Sequence, residues 1–206
     1  MKVVTFDQEA LDRHAARLAE QVARDMPPGG YDAVVGIRRG GSLVCDAFCR
    51  HFPAGAFRMR TDVWLQRSST KRKTPAVAAF LKRLPYGVLN LLRMAEARLL
   101  ALRHRARGHQ EERKVEIPAP LAGMLTSVAA PRVLLIDDAI DSGETLRAAA
   151  AAIKDVNEAS DVRVAVLTVT TSRPVADADY YIYHNHTLIR FPWSNDYKNP
   201  VAGQLS

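Results

Sequence analysis

Cysteine is nearly missing from this chain. Cys45 and Cys49 are the only two in 206 residues, too few for a disulfide framework, and four apart in a helical stretch they read as small buried thiols. No adjacent Cys or His pair completes a tetrahedral metal set with them. No window approaches the run of about eighteen apolar residues that a membrane-spanning helix needs. The opening segment, MKVVTFDQEALDRH, lacks the apolar stretch of a signal peptide and meets Asp7 and Glu9 early, which points to a cytoplasmic protein. Aromatic residues are sparse at 7%, but 48% hydrophobic and 25% charged content is that of a packed soluble chain, which excludes disordered and fibrous classes. The length suits one domain with a modest insertion, enough to bury about 70% of the unfolded surface.

The net charge of +7 is unevenly spread. Residues 55–114 hold fifteen Lys and Arg against four acids, a local +11, while the rest of the chain holds fourteen basic and eighteen acidic side chains. A slightly acidic body therefore carries one basic segment, and such a segment attracts phosphate-rich partners, whether nucleotide, nucleic acid or acidic protein. Charge does not choose among them.

Apolar positions Leu11, Ala15, Leu18 and Val22 recur at helical spacing behind a capping Asp7, and MPPGG at 26–30 ends that helix. DAVVGI at 32–37 is a short β-branched run of the kind buried in a parallel sheet, followed by RRGGS and a helical LVCDAFCRHF. A second strand lies within 54–65, and QRSSTKRKTP (66–75) has no apolar periodicity and reads as a basic loop. From Val77 to about Arg107 the pattern is helical. Val88, Leu92, Ala95, Leu99 and Leu102 form a seam that needs a partner surface in its own domain, a second copy or an acidic polymer. Arg93, Arg98, Arg103, Arg105 and Arg107 lie on the outer, solvated face. GHQEERKVEIPAP connects back to the body. Val133–Ile136 is a continuous apolar strand running into a carboxylate pair and an Ala-rich helix, and 162–170 and 177–184 are further strands. Strands alternating with helices imply a mainly parallel α/β sheet.

The chemistry concentrates in DDAIDSGET, residues 137–145. Ser142, Gly143 and Thr145 stand where a strand ends and a helix begins, so successive backbone N–H groups and two hydroxyls converge on an anion at the positive end of the helix dipole. Asp137 and Asp138, just before that cradle, are placed to accept hydrogen bonds from vicinal hydroxyls about one sugar away. A sugar phosphate satisfies both halves.

The full string VLLIDDAIDSGETL (133–146) resembles the 5-phosphoribosyl 1-diphosphate (PRPP) signature of the type I phosphoribosyltransferases, and VVGIRRGGSL (34–43) resembles their pyrophosphate loop. RPVADADYYIYHNHTLIRFPWS (173–194) is similar to the last strand and hood of the bacterial xanthine, guanine and hypoxanthine members. The resemblance implies a Rossmann-like, mainly parallel sheet flanked by helices, forming a single domain over 1–206. A basic loop and helical insertion would fall at about 66–120 and a small hood at about 184–206.

It also implies roles for particular residues: Asp137 and Asp138 reading the ribose and, through PRPP or water, Mg2+; Asp141, Ser142, Gly143, Glu144 and Thr145 holding the 5'-phosphate; Arg38, Arg39, Gly40 and Gly41 the pyrophosphate. Asp141 is the candidate general base or transition-state stabiliser, and Arg173, Leu188, Ile189 and Trp193 are the candidate base and hood residues. The chain departs from the purine pattern in two places. Leu188 stands where the family has a base-stacking Trp, and no lysine occurs between 155 and 197, so Arg173 is the nearest substitute for the family's base-reading Lys. His184 and His186 flank Asn185 and read as polar hood residues rather than metal ligands.

The implied reaction is transfer of 5-phosphoribosyl from PRPP to a nitrogen acceptor of nucleobase type, with pyrophosphate released. Mg2+ is the cofactor, nucleotide salvage the setting, and a homo-oligomer, dimer or tetramer, the expected assembly; the basic loop containing Arg67, Lys71, Arg72 and Lys73 would close over the diphosphate. The alternative is a non-catalytic PRPP-sensing regulator that binds nucleic acid through the basic 58–114 segment.

Overall fold

In the computed structural model the described residues are 2–37, 39–66, 84–95, 114–172, 174–185 and 187–198. Helix α1 (Gln8–Arg24) begins where Asp7 accepts a 2.7 Å hydrogen bond from the Ala10 N–H, the cap that its sequence position predicts. Leu11, Ala15, Leu18 and Val22 form its buried stripe. Gly29 and Gly30, both at positive φ, then turn the chain into β2 (Tyr31–Ile37), every residue of which is buried. Strands β3 (Phe57–Gln66), β4 (Lys114–Glu116), β5 (Arg132–Ile140), β6 (Asp161–Val169) and β7 (Tyr180–His184) complete a sheet of order β4-β3-β2-β5-β6-β7, parallel except for the antiparallel β3–β4 edge.

Helices cover both faces. On one, α1 and α2 (Gly40–His51) bury Leu11, Leu18, Val44 and Phe48 against β2, β5 and β6; on the other, α4 (Ala119–Ser127) and α5 (Glu144–Val156) bury Leu121, Leu125, Leu146 and Ile153. Alternate residues of β2 and β5 serve the two cores: Val34 and Leu134 face one, Val35 and Leu135 the other. This two-sided burial is why those strands read as continuous apolar runs. The adjacent strands β2 and β5 send their chains to opposite faces, into α2 and α5. The crevice between their C-terminal ends, where Gly36 pairs with Ile136, is therefore a topological switch point.

A second, two-stranded sheet pairs β1 (Lys2–Thr5) in parallel with β8 (Thr187–Arg190), Val3 opposite Leu188. Helix α3, residues 86–95, packs beside it and departs from the sequence expectation. Leu89 is its buried apolar residue at 2% exposure, whereas Val88 and Leu92, predicted to form the seam, are exposed at 42% and 47%. Arg93, predicted on the solvated face, is turned inward. Its guanidinium grips the Asp196 carboxylate through two bonds of 3.0 and 2.7 Å and donates to the Ile189 carbonyl at 2.8 Å. These polar anchors, rather than the apolar repeat, set the helix's rotation. Leu99, Leu102, Arg98, Arg103, Arg105, Arg107 and the basic loop residues Arg67, Lys71, Arg72 and Lys73 lie outside the described residues.

The stretch assigned to a connection contains strand β4 and, after Pro118, helix α4. Cys45 is buried and Cys49 partly so, both free thiols. Among the described residues no helix is long and apolar enough to cross a membrane.

Candidate active site

The switch-point crevice is built from two turns. The first follows β2, where Arg39 stands exposed at the N-cap of α2 and Gly40 and Gly41 form its first residues. The resemblance assigns these glycines to the pyrophosphate; the structure shows a nearer neighbour. A Cβ on Gly40 would overlap the Asp138 Oδ2 atom, and one on Gly41 would sit 2.6 Å from the Ile136 carbonyl and 2.8 Å from Asp137 Oδ1. The glycines are required because the acid pair at the end of β5 packs directly into the helix's first turn. That contact also sets two carboxyls against the positive end of α2.

Asp137 is buried at 8% exposure and Asp138 partly buried. Burial pushes the Asp137 carboxyl well above the usual range, and the Asp138 charge next to it pushes the same way. Burial also raises Asp138, against which the Trp193 indole N–H, donating to Oδ2 at 3.0 Å, favours the charged form. The crevice thus holds two acids whose ionisation costs free energy until a cation or hydroxyl donors reach them.

The second turn, Asp141–Gly143, leads into α5. Gly143 is left-handed (φ +84), and a side chain there would meet the Ala176 backbone nitrogen at 2.7 Å. Ser142 contributes its carbonyl to the Val175 N–H at 2.9 Å, which buttresses the turn from behind. Among the described residues no acceptor lies within hydrogen-bond distance of the Ser142 and Gly143 N–H groups. Asp141 is exposed, and its Oδ1 accepts a 2.8 Å bond from the Thr170 hydroxyl at the end of β6. Glu144 is buried and held by Arg147 at 2.6 Å. Gly143→Ala adds both left-handed strain and a backbone clash, so we expect at least about 1–2 kcal/mol lost from stability, measured by urea unfolding; an unchanged midpoint would show that the turn relaxes freely.

The remaining predicted residues divide. Leu188 and Ile189 are both buried in β8, Ile189 within the α1–α2 core, so this strand carries aliphatic rather than aromatic side chains there. Trp193 lies flat against Phe191, ring centroids 4.7 Å apart and 4° between planes, with its indole N–H on Asp138. Arg38, Arg173 and His186 lie outside the described residues. Sequence reasoning missed Arg60, which donates to the Ser42 carbonyl at 3.2 Å and pairs with Asp46 at 2.7 Å and Asp62 at 3.1 Å, fastening the first turns of α2 to β3. The basic run around it masked a residue already neutralised. Thr170 was missed as well, since a threonine closing a strand carries no distinguishing signal.

A sheet wound on both faces, with an acid pair and an anion-shaped turn at its switch point, is the architecture of an α/β protein that takes its ligand at the strand C-termini. The family model of the phosphoribosyl transferase domain matches residues 6–198, and the chain belongs to that family. It is accordingly an enzyme of the phosphoribosyltransferase class, which transfers phosphoribosyl from PRPP. Among solved structures it is similar in fold to a purine phosphoribosyltransferase from Pyrococcus horikoshii, at 17% identity and TM-score 0.56 over 98% of each chain. A xanthine-guanine-hypoxanthine phosphoribosyltransferase from Helicobacter pylori matches at 17% identity and TM-score 0.55 over 94% of each chain. A hypothetical protein from Neisseria gonorrhoeae with bound ppGpp matches at 17% and 0.52, over 93% of this chain and 89% of that one. No curated protein matches the sequence significantly.

Proposed function

We propose that the acceptor is a purine-type nucleobase and that PRPP lies along the switch-point crevice, its 5'-phosphate in the Asp141–Thr145 turn, its ribose hydroxyls on Asp137 and Asp138, and its diphosphate over Arg39, Gly40 and Gly41. The observation that carries this reading is the contact of the acid pair with Gly40 and Gly41, which brings the residues expected to serve the ribose and the diphosphate together where β2 and β5 pair. Two of the similar folds belong to purine enzymes by name.

The donor chemistry fits Mg2+. Asp137 and Asp138 offer hard carboxylate oxygens, and among the described residues no group of three metal-type side chains forms a cage. An ion that prefers one or two carboxylates plus ligand phosphates and water matches this set. Bound there, it would supply charge neutralisation for the departing diphosphate. The chain's own part is orientation: Asp138 and Asp137 fix the sugar, the Ser142 and Gly143 amides anchor its phosphate, and Asp141, oriented by Thr170, accepts or stabilises the acceptor's proton. The aliphatic Leu188 contributes shape rather than stacking to the base site.

The regulator reading finds no support in the described part of the basic segment. Arg58 pairs with Asp32, Arg60 with Asp46 and Asp62, and Arg93 with Asp196. Pyrophosphate release measured with PRPP, Mg2+ and a panel of purine, pyrimidine and simple amine acceptors tests the proposal. We expect turnover with a purine; turnover confined to another acceptor class would overturn the acceptor assignment, and PRPP that neither binds nor turns over would overturn the site.

A further inference from the structure

Trp193 aligned in sequence with a hood residue, and as such would be expected to face the acceptor. Its surroundings point elsewhere. The indole ring is stacked on Phe191, and its one polar atom, Nε1, donates to Asp138 Oδ2 at 3.0 Å. The same nitrogen would lie 2.9 Å from a Cβ on Gly40, so the indole edge lies against both the first turn and the acid beside it. The ring is itself held. The Phe191 N–H donates to Ser194 Oγ at 3.0 Å and the Ser194 N–H to the Phe191 carbonyl at 2.9 Å, which makes a tight bend with Trp193 at its tip. That bend hangs between Arg190 and Asp196, which are joined by a 2.9 Å ion pair, and Arg93 of α3 grips the same carboxylate.

We propose that Trp193 is a positioning residue for the sugar-reading Asp138, fixing one carboxylate oxygen so that the group meets the ribose in a single orientation, and that it takes no part in stacking the base. The inference rests on Asp138 being the ribose reader. A buried carboxyl without a donor on one oxygen has several rotamers and an unsatisfied atom, and a fixed one presents its acceptor geometry before the ligand arrives. The stacking partner Phe191 supplies the rigidity, and the ion-paired frame at Arg190 and Asp196 supplies the position.

The test is a double-mutant cycle read as the PRPP dissociation constant in Mg2+ by calorimetry, with the acceptor KM as a second reading. Trp193→Phe keeps the stack and removes the N–H; Asp138→Ala removes the group it acts on. We expect Trp193→Phe to weaken PRPP by roughly tenfold, the cost of one hydrogen bond to a charged group, with acceptor KM unchanged, and to cost nothing further in the Asp138→Ala background. Additive effects, or a shift in acceptor KM with PRPP affinity intact, would overturn the proposal. Unchanged PRPP affinity in Trp193→Phe alone would overturn it while leaving the ribose reading in place. Unchanged affinity in Asp138→Ala would bring down the ribose reading and, with it, the role of Trp193.

Should Trp193→Phe fold poorly, Trp64→Phe provides the same answer, because Trp193 is then the one remaining indole. Its N–H proton resonance should move on adding PRPP to Trp64→Phe and stay put in Trp64→Phe/Asp138→Ala. A resonance indifferent to PRPP in the first, or shifted equally in both, would overturn the proposal.

Discussion

Asp137→Asn/Asp138→Asn is expected to lose PRPP binding by about a hundredfold or more and, at the same time, to melt at a higher temperature than the natural protein. The first half follows from the proposed site, in which the variant removes two charged acceptors of ribose hydroxyls, each worth about 1.5–3 kcal/mol. The second follows from the site's electrostatics. Both carboxyls are pushed upward, chiefly by burial, so the folded state holds their protons more tightly than the unfolded chain does. Stability from such groups is fully present below the ordinary Asp value of about 3.9 and declines as pH rises through the raised folded values. At neutral pH the natural protein carries that penalty and the amide variant does not, while Asn can still accept the bonds that the Asp138 and Trp193 N–H groups donate.

The gain in melting temperature should therefore be larger at neutral pH than at a pH near the ordinary Asp value of about 3.9. Weakened binding with a raised melting point is the signature of acids kept for function against stability. A double variant that binds PRPP normally would remove the site assignment, and one that melts lower at every pH would show that the acid pair supports the fold instead.

What the sequence made legible was local. Strand, turn and helix are contiguous in 133–146, and the residues that shape the turn are adjacent in the chain, so the turn itself followed from order alone. The same holds for β2 and the glycines after it. The reason for those glycines was not legible, because it depends on a pairing between Gly36 and Ile136 that no local pattern announces. The acid pair fills the space a Cβ would take, and only the register shows it. Likewise Val3 meets Leu188 across nearly the whole chain, so the two-stranded sheet had no local signature. Arg93 was misplaced for a related reason: on a helix wheel an arginine reads as solvated unless its partner is known, and Asp196 lies 103 residues away.

That partner carries the other large effect. Among the described residues Asp196 is the single carboxylate between Arg93 and Arg190, and Arg190 is 1% exposed. Besides Asp196, Arg190 bonds to Thr5 Oγ1 at 2.9 Å and Asn90 Oδ1 at 2.8 Å, with the Tyr86 ring 4.6 Å from its guanidinium carbon. One buried cation thus ties β1, α3, β8 and the C-terminal segment together. Asp196→Asn leaves Arg190 buried without its counter-charge and facing Arg93, a situation that typically costs about 3–5 kcal/mol and, for a domain of this size, lowers the melting temperature by roughly 6–20 °C. Burial alone would raise the Asp196 carboxyl, but the bonds from Arg93 and Arg190 outweigh it and hold it below the usual range.

The sign is then the reverse of that for the acid pair. Stability from Asp196 is present above the unfolded Asp value, about 3.9, and is lost as pH falls through the depressed folded value. Thermal melts of Asp196→Asn and the natural protein should differ most at neutral pH and draw together as the pH is taken below about 4. A difference that stays constant across that range would mean Asp196 acts through shape rather than charge. Because the Trp193 bend hangs from this clasp, the same variant should also weaken PRPP at neutral pH, linking α3 to the proposed sugar site through one carboxylate.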